Sequence, residues 1–562
     1  GMAVASAGDV NGDGFDDFLI GASAATNTGS SYLVFGKSTP QTAISKLSTL
    51  SGRDGVRLDG VTAGDFAGTA IASAGDVNGD GLADIIVGAN GAAPGSSQLA
   101  GSAYILFGKT TAFSATLKLS TLDGKTGFRL DGGSANSWLG SSVGSAGDVN
   151  GDGIDDLIVG ANGVNGTTGA AYVVLGKAGA TASTLNVSKL DGSNGFALSG
   201  VAPSDNTGFA VSSAGDINHD GFDDMLIGAF GANRGAGAAY VVFGKNGGFA
   251  ANLDLSTLDG SNGVRLDGMA GDNAGRSVAK IGDFNGDGID DIVIGAFHGN
   301  NDTGSAYVVF GQSTAFASSL DLSTLDGKNG FRLDGVSALD LTGISVSSAG
   351  DMNGDGLADL LVGARGAYPR AGASYLLYGT HDTYPAKVNL SDLNGLTGFK
   401  LIGGTDSLSS GSVAGVGDVN GDGYGDLLIG AQGATNVAGS SYLVLGNNAS
   451  NIIKTVGTIA ADTLTGTGGA DAINGMGGAD KIDGGGGADL VHGGAGDDRI
   501  TVADTGFVLI DGGGGKDTLA LAGAGVHLDL TTLPGRLQSI EVIDIGGTGD
   551  NELTISAQNL FD

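Results

Sequence analysis

Short apolar runs of strand length, bounded by glycine, recur through most of the chain. "ADIIVGA" (83–89) is typical: an unbroken β-branched stretch followed by a Gly-rich loop. Each such run is preceded by a segment like "GTAIASAGDV" (68–77) and followed by a second strand pattern, "GSAYILFGK" (101–109). The tyrosine of that second pattern recurs as Tyr32, Tyr104, Tyr172, Tyr240, Tyr307, Tyr375 and Tyr442. After a longer connector containing "LSTLDG" comes a fourth short strand, "GVRLDG" (55–60), "GFRLDG" (127–132), "GFALSG" (195–200) and their relatives. The pattern therefore predicts four strands per unit.

The unit is counted by a polar stretch between its first two strands. "DVNGDGFDD" at 9–17 returns from Asp76, Asp148, Asp216, Asp283, Asp351 and Asp418, at a nearly constant spacing. A fixed period of this kind dictates architecture before any other feature. Four-stranded sheets repeated radially make the blades of a propeller, whereas the interval from Asp9 to Asp76 is too long for one coil of a solenoid. The expected fold is all-β: a seven-bladed β-propeller with four-stranded blades over 1–449. The outer "GxRLDG" strand occurs only six times, ending at "GFKLIG" (398–403), so blade seven lacks one. It is expected to come from a strand preceding residue 1, or from "NIIKTV" (451–456).

Beyond residue 457 the period changes. Gly466, Gly475, Gly484 and Gly493 begin four nine-residue units, each with aspartate at the sixth position (Asp471, Asp480, Asp489, Asp498) and an apolar residue at the eighth (Ile473, Ile482, Val491, Ile500). This is the GGxGxDxUx nonapeptide of a calcium-binding β-roll, in which the eighth residue packs inside and calcium bridges stacked turns. A parallel β-roll is expected over 450–502, with a β-rich flank or cap over 503–562.

The composition fits turn-rich β structure: 110 of 562 residues are glycine, with only 6 prolines and no three-residue period. Sixty acidic and 26 basic residues give a net charge of −34. Nucleic acid is thereby disfavoured as a partner and metal cations are favoured. No cysteine is present, which excludes disulfides and thiolate sites. No apolar run is long enough to cross a membrane as a helix, and no signal peptide opens the chain. Residues 1–9 align with 68–76, the interior of a repeat, so the chain reads as a fragment or processed piece.

The acidic stretch puts oxygen side chains at positions 1, 3, 5 and 9, with glycine at 6 for a sharp turn. It is similar to an EF-hand loop set in a β-hairpin, with its final ligand early. Hard oxygen ligands suit calcium, about seven ions in the propeller and several in the roll. The candidate ligands are Asp9, Asn11, Asp13 and Asp17; Asp76, Asn78, Asp80 and Asp84; Asp148, Asn150, Asp152 and Asp156; and Asp216, Asn218, Asp220 and Asp224. The last three sets are Asp283, Asn285, Asp287 and Asp291; Asp351, Asn353, Asp355 and Asp359; and Asp418, Asn420, Asp422 and Asp426. Asp471, Asp480, Asp489 and Asp498 complete the set in the roll. Without metal each propeller loop would crowd three carboxylates. His219 replaces a glycine at a position that supplies no side-chain ligand, so that site should survive.

On "DxNxDGxxD", the following "IGA" or "VGA", and "YxxFG" (Tyr104 to Gly108), residues 1–449 resemble FG-GAP repeats, the blades of integrin α-subunit propellers. Of the namesake Phe-Gly only the glycine persists, as in Gly68, Gly140 and Gly208. The nonapeptides resemble RTX hemolysin-type repeats, which implies a bacterial protein exported by type I secretion. The integrin resemblance implies calcium hairpins on one face and a variable binding face opposite, carrying Arg234, Arg276, Phe297, Arg365, Tyr368 and Arg370, with Trp138, Phe230 and His298 nearby.

Five scattered histidines and the absence of "HExxH" argue against an enzyme. The expected function is calcium-dependent adhesion at a bacterial cell surface, with an extracellular protein or glycan as ligand. The alternatives are a self-assembling segment of a surface layer, sheath or giant adhesin, and the non-catalytic module of a secreted hydrolase.

Overall fold

A computed structural model describes residues 2–38, 46–395, 397–404, 409–434, 439–446, 453–458, 460–469, 471–475, 477–507, 509–533 and 536–555. The chain forms two compact units, Gly1–Gly446 and Asn447–Asp562.

The first unit is a seven-bladed propeller. Blade two shows the plan: Ile71–Gly75, Asp84–Ala89, Ser102–Leu106 and Gly127–Asp131 pair antiparallel in that order. The second strand is buried at all six positions. It lies between two other strands of its sheet and is covered on both faces by neighbouring blades, hence its unbroken apolar run. The seven first strands, Ala3–Gly8, Ile71–Gly75, Ser142–Gly147, Ala210–Gly215, Ser277–Gly282, Thr342–Gly350 and Ser409–Gly417, pack side by side around the centre. The ring closes between blades seven and one. There the Val4 amide donates to Ser412 Oγ (3.0 Å), and the Asp16 and Lys37 amides donate to the carbonyls of Asp418 (3.1 Å) and Val419 (2.9 Å). The apolar core is divided among the interfaces between blades. One cluster, for example, joins Val149, Ile158 and Val173 of blade three to Met225, Ile227 and Tyr240 of blade four.

The blade edges hold features the sequence reading did not anticipate. In blades one to five a three-residue strand from the next blade's connector adds a fifth, parallel strand, as where Thr116–Lys118 pairs with Gly55–Asp59. It covers an outer edge that would otherwise expose unpaired backbone groups. Blade seven has neither a fourth strand nor its connector among the described residues, so blade six stops at four strands and blade seven at three. Ile453–Val456 does not fill that place, which corrects one of the two expectations for it. It pairs parallel with Asp471–Asn474 in the second unit. Tyr442 is consequently 46 % exposed, whereas its counterparts Tyr240, Tyr307 and Tyr375 are buried.

Aromatic pairs tie three of the connectors to the preceding blade: Phe35 with Phe113 (5.6 Å between centroids), Phe243 with Phe316 (5.7 Å), and Phe310 with Tyr384 (5.9 Å). The equivalent residue in the third unit is Thr181, and a cavity of about 160 Å³ lined by Phe128, Leu157, Val174 and Leu185 lies beside it. Thr181→Phe should fill this space and stabilise the propeller by about 1 kcal/mol. The check is a higher urea midpoint at unchanged slope; a lower midpoint would mean that the cavity cannot accept the ring.

The second unit stacks two parallel sheets. One contains Thr463–Thr465, Lys481–Gly485, Arg499–Val502, Thr518–Leu521 and Val542–Asp544; the other contains Ile453–Val456, Asp471–Asn474, Leu490–Ala495, Leu509–Gly514 and Leu537–Gln538. Paired residues such as Ile482 and Ile500 stand two nonapeptide periods apart, so two nonapeptides make one coil. Ile473, Ile482, Val491, Ile500, Ile510 and Leu519 are all buried in one core between the sheets. The nonapeptide spacing lapses after residue 502, but the stacking continues to Asp544.

Candidate metal centres and the opposite face of the propeller

Each acidic loop joins the end of a blade's first strand to the start of its second. The loop is wound around its first aspartate. In blade three, Asp148 Oδ1 accepts from the amides of Gly151 (2.7 Å) and Asp152 (3.1 Å), and Oδ2 from that of Gly153 (2.7 Å). Gly151 and Gly153 sit at φ +75° and +82°, the left-handed region that lets the amides turn inward. The loops of Asp9, Asp76, Asp283, Asp351 and Asp418 repeat all three contacts.

The ninth position is different in kind. Asp156 is fully buried; its Oδ2 accepts from the Val149 amide (3.1 Å) and its Oδ1 from that of Gly176 (2.7 Å). It therefore fastens the loop to the glycine that ends the third-strand motif. Asp17, Asp84, Asp224, Asp291, Asp359 and Asp426 are fully buried in the same way. Burial, opposed by these hydrogen bonds and reinforced by the charges of Asp152 and Asp148, pushes the Asp156 carboxyl up to about 7. Burial likewise pushes Asp17, Asp84, Asp224 and Asp291 to about 8.

Among the described residues no three Asp, Glu or His side chains are gathered closely enough to hold an ion by themselves. The first aspartate has turned its oxygens onto the loop amides, and an ion must draw on Asn side chains and backbone carbonyls as well. The donor set nevertheless fits a hard cation. It is all oxygen, and in blade three Asp148 Oδ2 and both Asp156 oxygens, with one amide each, retain a second lone pair.

His219 occupies blade four's fourth loop position at φ +58°, and the Asp220 and Gly221 amides still donate to Asp216, at 2.9 Å each. His219→Gly should relieve this conformation, stabilising the propeller by about 0.5–1 kcal/mol. Calcium stoichiometry, read by titration calorimetry, should not change.

The eighth loop position, which sequence reasoning missed, joins blades. Asp16, Asp155, Asp223 and Asp290 each accept from the first-position amide of the preceding blade, that is from Asp418 (2.9 Å), Asp76 (2.8 Å), Asp148 (3.0 Å) and Asp216 (3.0 Å). The doubled aspartate in "GFDD" was its only signal. Ala83, Ala358 and Gly425 replace it in blades two, six and seven.

In the roll, Asp471, Asp480, Asp489 and Asp498 are at most 2 % exposed, as is Asp517 one coil beyond Asp498. Asp489, Asp498 and Asp517 each lend one oxygen to the preceding coil: Asp471's amide donates to Asp489 Oδ1 (3.0 Å), Asp480's to Asp498 Oδ1 (2.8 Å) and Asp498's to Asp517 Oδ1 (2.8 Å). Asp471 Oδ1 and the Oδ2 atoms of Asp480, Asp498 and Asp517 have no hydrogen-bond partner among the described residues. Buried, partnerless carboxylate oxygens are costly unless a cation meets them. The first glycine of each nonapeptide makes room for them; a Cβ on Gly475 would stand 2.5 Å from Asp480 Oδ2.

At the other end of the blades, the residue before each first strand and the residue after each second strand come together, because those strands are antiparallel. Three of the six expected ligand-face residues meet there. Arg276 lies over Phe209 (4.2 Å), Phe297 (5.8 Å) and Phe230 (6.0 Å), and Arg365 approaches it closely enough to lower its basicity, after the larger effect of burial. His298 stacks edge-on against Phe297, at 4.1 Å. Arg234 and Tyr368 are exposed on the short helices Ala232–Gly235 and Ala367–Arg370, outside this cluster; the Arg370 side chain lies outside the described residues. Phe209 and Gln432, which belong to the cluster, were missed because nothing local marks them.

Comparison with known families agrees with the repeat count. The FG-GAP repeat model matches 1–34, 67–106, 139–174, 207–242, 274–309, 342–377 and 410–444, and the RTX calcium-binding nonapeptide repeat model matches 456–491 and 465–500. Integrin alpha-4 of Xenopus laevis is 31 % identical over 176 residues, covering 30 % of this chain and 15 % of the relative. Integrin alpha-V of Gallus gallus is 28 % identical over 237 residues, 41 % of this chain and 20 % of the relative. Phosphatidylinositol-glycan-specific phospholipase D of Bos taurus is 30 % identical over 165 residues, 28 % of this chain and 18 % of the relative. The chain thus spans a fifth or less of the length of these relatives. Among the described residues no helix is long and apolar enough to cross a membrane. With seven integrin-α-like repeats closed into one ring and calcium-binding nonapeptides after them, the chain carries seven FG-GAP repeats followed by RTX repeats.

Proposed function

We propose that this is a secreted bacterial adhesion protein that binds an extracellular protein or glycan, with calcium rigidifying both units. The observation that carries the reading is the contrast between the two ends of the blades. Seven copies keep Asp, Asn, Asp and Asp at one end. At the other, the corresponding residues at or near the start of the first strands are Met2, Thr69, Ser141, Phe209, Arg276, Ile344 and Gly411. A repeated scaffold with one unrepeated face is what a binding protein requires. In each propeller loop the first, third, fifth and ninth residues would hold one calcium ion. In the roll Asp471, Asp480, Asp489 and Asp498 would hold several, with Asp517 as a further candidate. This reading gives the chain a binding role and no catalytic one.

The test is an array of matrix proteins and glycans probed with the full chain, in calcium and in chelator. Calcium-dependent binding to a defined ligand is expected. Absence of binding by the folded, calcium-loaded chain, together with self-association in sedimentation, would favour the surface-layer reading. Blade seven, with three strands among the described residues, lends that alternative its support.

A further inference from the structure

Four connectors carry an aromatic ring at one position. Five residues after the glycine that follows the third strand stand Phe113, Phe249, Phe316 and Tyr384, in blades two, four, five and six. Each ring packs on aromatic residues of the preceding blade. Phe249 stacks on Phe196 (4.2 Å between centroids) and Tyr384 on Phe331 (4.4 Å), while Phe113 meets Phe35 and Phe316 meets Phe243 at a tilt. In blades two and four the lysine after that glycine closes over the ring: Lys109 lies 4.5 Å from the centre of Phe113, and Lys245 lies 5.1 Å from that of Phe249. In blade three the surroundings are kept and the ring is missing. Thr181 holds the position. Phe107 and Phe128 of blade two stand 6.1 Å apart, much as Phe310 and Phe331 (5.9 Å) stand around Tyr384. Lys177, the counterpart of Lys109 and Lys245, lines the cavity. The corresponding positions of blades one and seven lie outside the described residues.

We propose that the cavity between blades two and three is a binding site for a free, neutral, single-ring aromatic molecule of the size of phenol. Its volume is about 160 Å³. An apolar cavity of about 150 Å³ stays dry and takes up benzene. Val77, Phe128, Leu157, Val174, Leu175 and Leu185 supply apolar walls. The two uncharged polar side chains of the lining are engaged elsewhere. The Thr181 hydroxyl donates to the Ala182 carbonyl (3.3 Å), and the Asn194 amide donates to the Lys189 carbonyl (3.2 Å) and accepts from the Asp191 amide (3.1 Å). Water therefore finds few partners there, and an apolar guest strands no polar side chain. A flat guest lies against Phe128 as Phe249 lies against Phe196, with the Lys177 ammonium within reach of its face. Lys177 and Ala182 are exposed at the rim, which leaves the guest a way in from solvent. The net charge of −34 repels an aromatic anion, so the guest is neutral.

The test is saturation-transfer NMR on the full chain in calcium, with phenol, cyclohexanol and N-acetylphenylalaninamide as probes. Phenol should bind with a dissociation constant on the order of 1 mM and raise the melting temperature of the propeller. Cyclohexanol, of similar size but without a π face, should bind at least about threefold more weakly. Lys177→Met keeps the stem at an exposed position and removes the charge, and it should narrow that gap. Thr181→Phe supplies the ring covalently and should abolish phenol binding. A melting curve checks each variant, and if Thr181→Phe does not fold, Lys177→Met decides. No phenol binding at roughly tenfold that concentration would overturn the proposal. So would phenol binding unchanged in folded Thr181→Phe, cyclohexanol bound as tightly as phenol, or a gap that Lys177→Met leaves as it was. N-acetylphenylalaninamide displacing phenol at a lower concentration than phenol itself would also overturn it, by giving the slot to a side chain of a partner protein.

Discussion

Excess chelator is expected to abolish the melting transition of Asn447–Asp562 while only lowering that of Gly1–Gly446. The roll has five carboxylates at 0–2 % exposure, spaced along its coils, and four of them have an oxygen without a hydrogen-bond partner among the described residues. Coulombic repulsion between coils adds to their burial: Asp471 acts on Asp489, and Asp480 and Asp517 act on Asp498, raising both carboxyls above the ordinary range. The core that must outweigh this is one layer of apolar residues between two narrow sheets. Binding of calcium to the folded state alone contributes RT ln(1 + [L]/Kd), about 4 kcal/mol for each site at a thousandfold excess over Kd. Several sites removed together exceed the stability of a unit this small. The propeller differs, because its apolar clusters span the interfaces between blades and its ninth-position aspartates are hydrogen-bonded on both oxygens. Differential scanning calorimetry reads both transitions at once. Magnesium, which keeps its waters, should not restore the roll. Unchanged melting in chelator would sink the assignment of calcium to both units.

Asp156→Ala should cost the propeller about 2–5 kcal/mol even in chelator, whereas Asp152→Ala should cost under about 1 kcal/mol there. Both residues belong to one loop and both are candidate ligands, but their surroundings differ. Removing the Asp156 carboxylate leaves the buried amide of Val149 and the partly buried amide of Gly176 without acceptors, and each orphan costs about 1–3 kcal/mol. Asp152 is exposed and accepts only the Ile154 amide, at 3.0 Å. In calcium each variant should also lose one bound ion, with the other loops unaffected. Denaturant melts in chelator and in calcium, with calcium counting by titration calorimetry, separate the fastening role from the ligand role. Equal costs for the two variants in chelator would mean that the ninth aspartate does not fasten the blade.

Much of this was legible in the sequence because the information is local. A β-strand declares itself in five or six consecutive residues, and a turn in its glycines and aspartates. The regular return of the acidic loop from Asp9 to Asp418 then counts the blades without knowledge of any contact between them. The nonapeptide phase places Ile473, Ile482, Val491 and Ile500 inside for the same reason. What the tertiary structure decided involves partners far apart in the chain. The side chains of Asp16 and Asp155 look like spare acids until the ring brings them to Asp418 and Asp76. The strand Ile453–Val456 is short and apolar enough for either unit, and only pairing with Asp471–Asn474 assigns it to the roll. Arg276 and Arg365 belong to different repeats and are flanked by unlike neighbours. Only the packing of neighbouring blades sets Arg276 over Phe209 and Phe230 and Arg365 against Gly411. Local chemistry fixed the blades and the loops; only closure of the ring fixed which residues face one another across them.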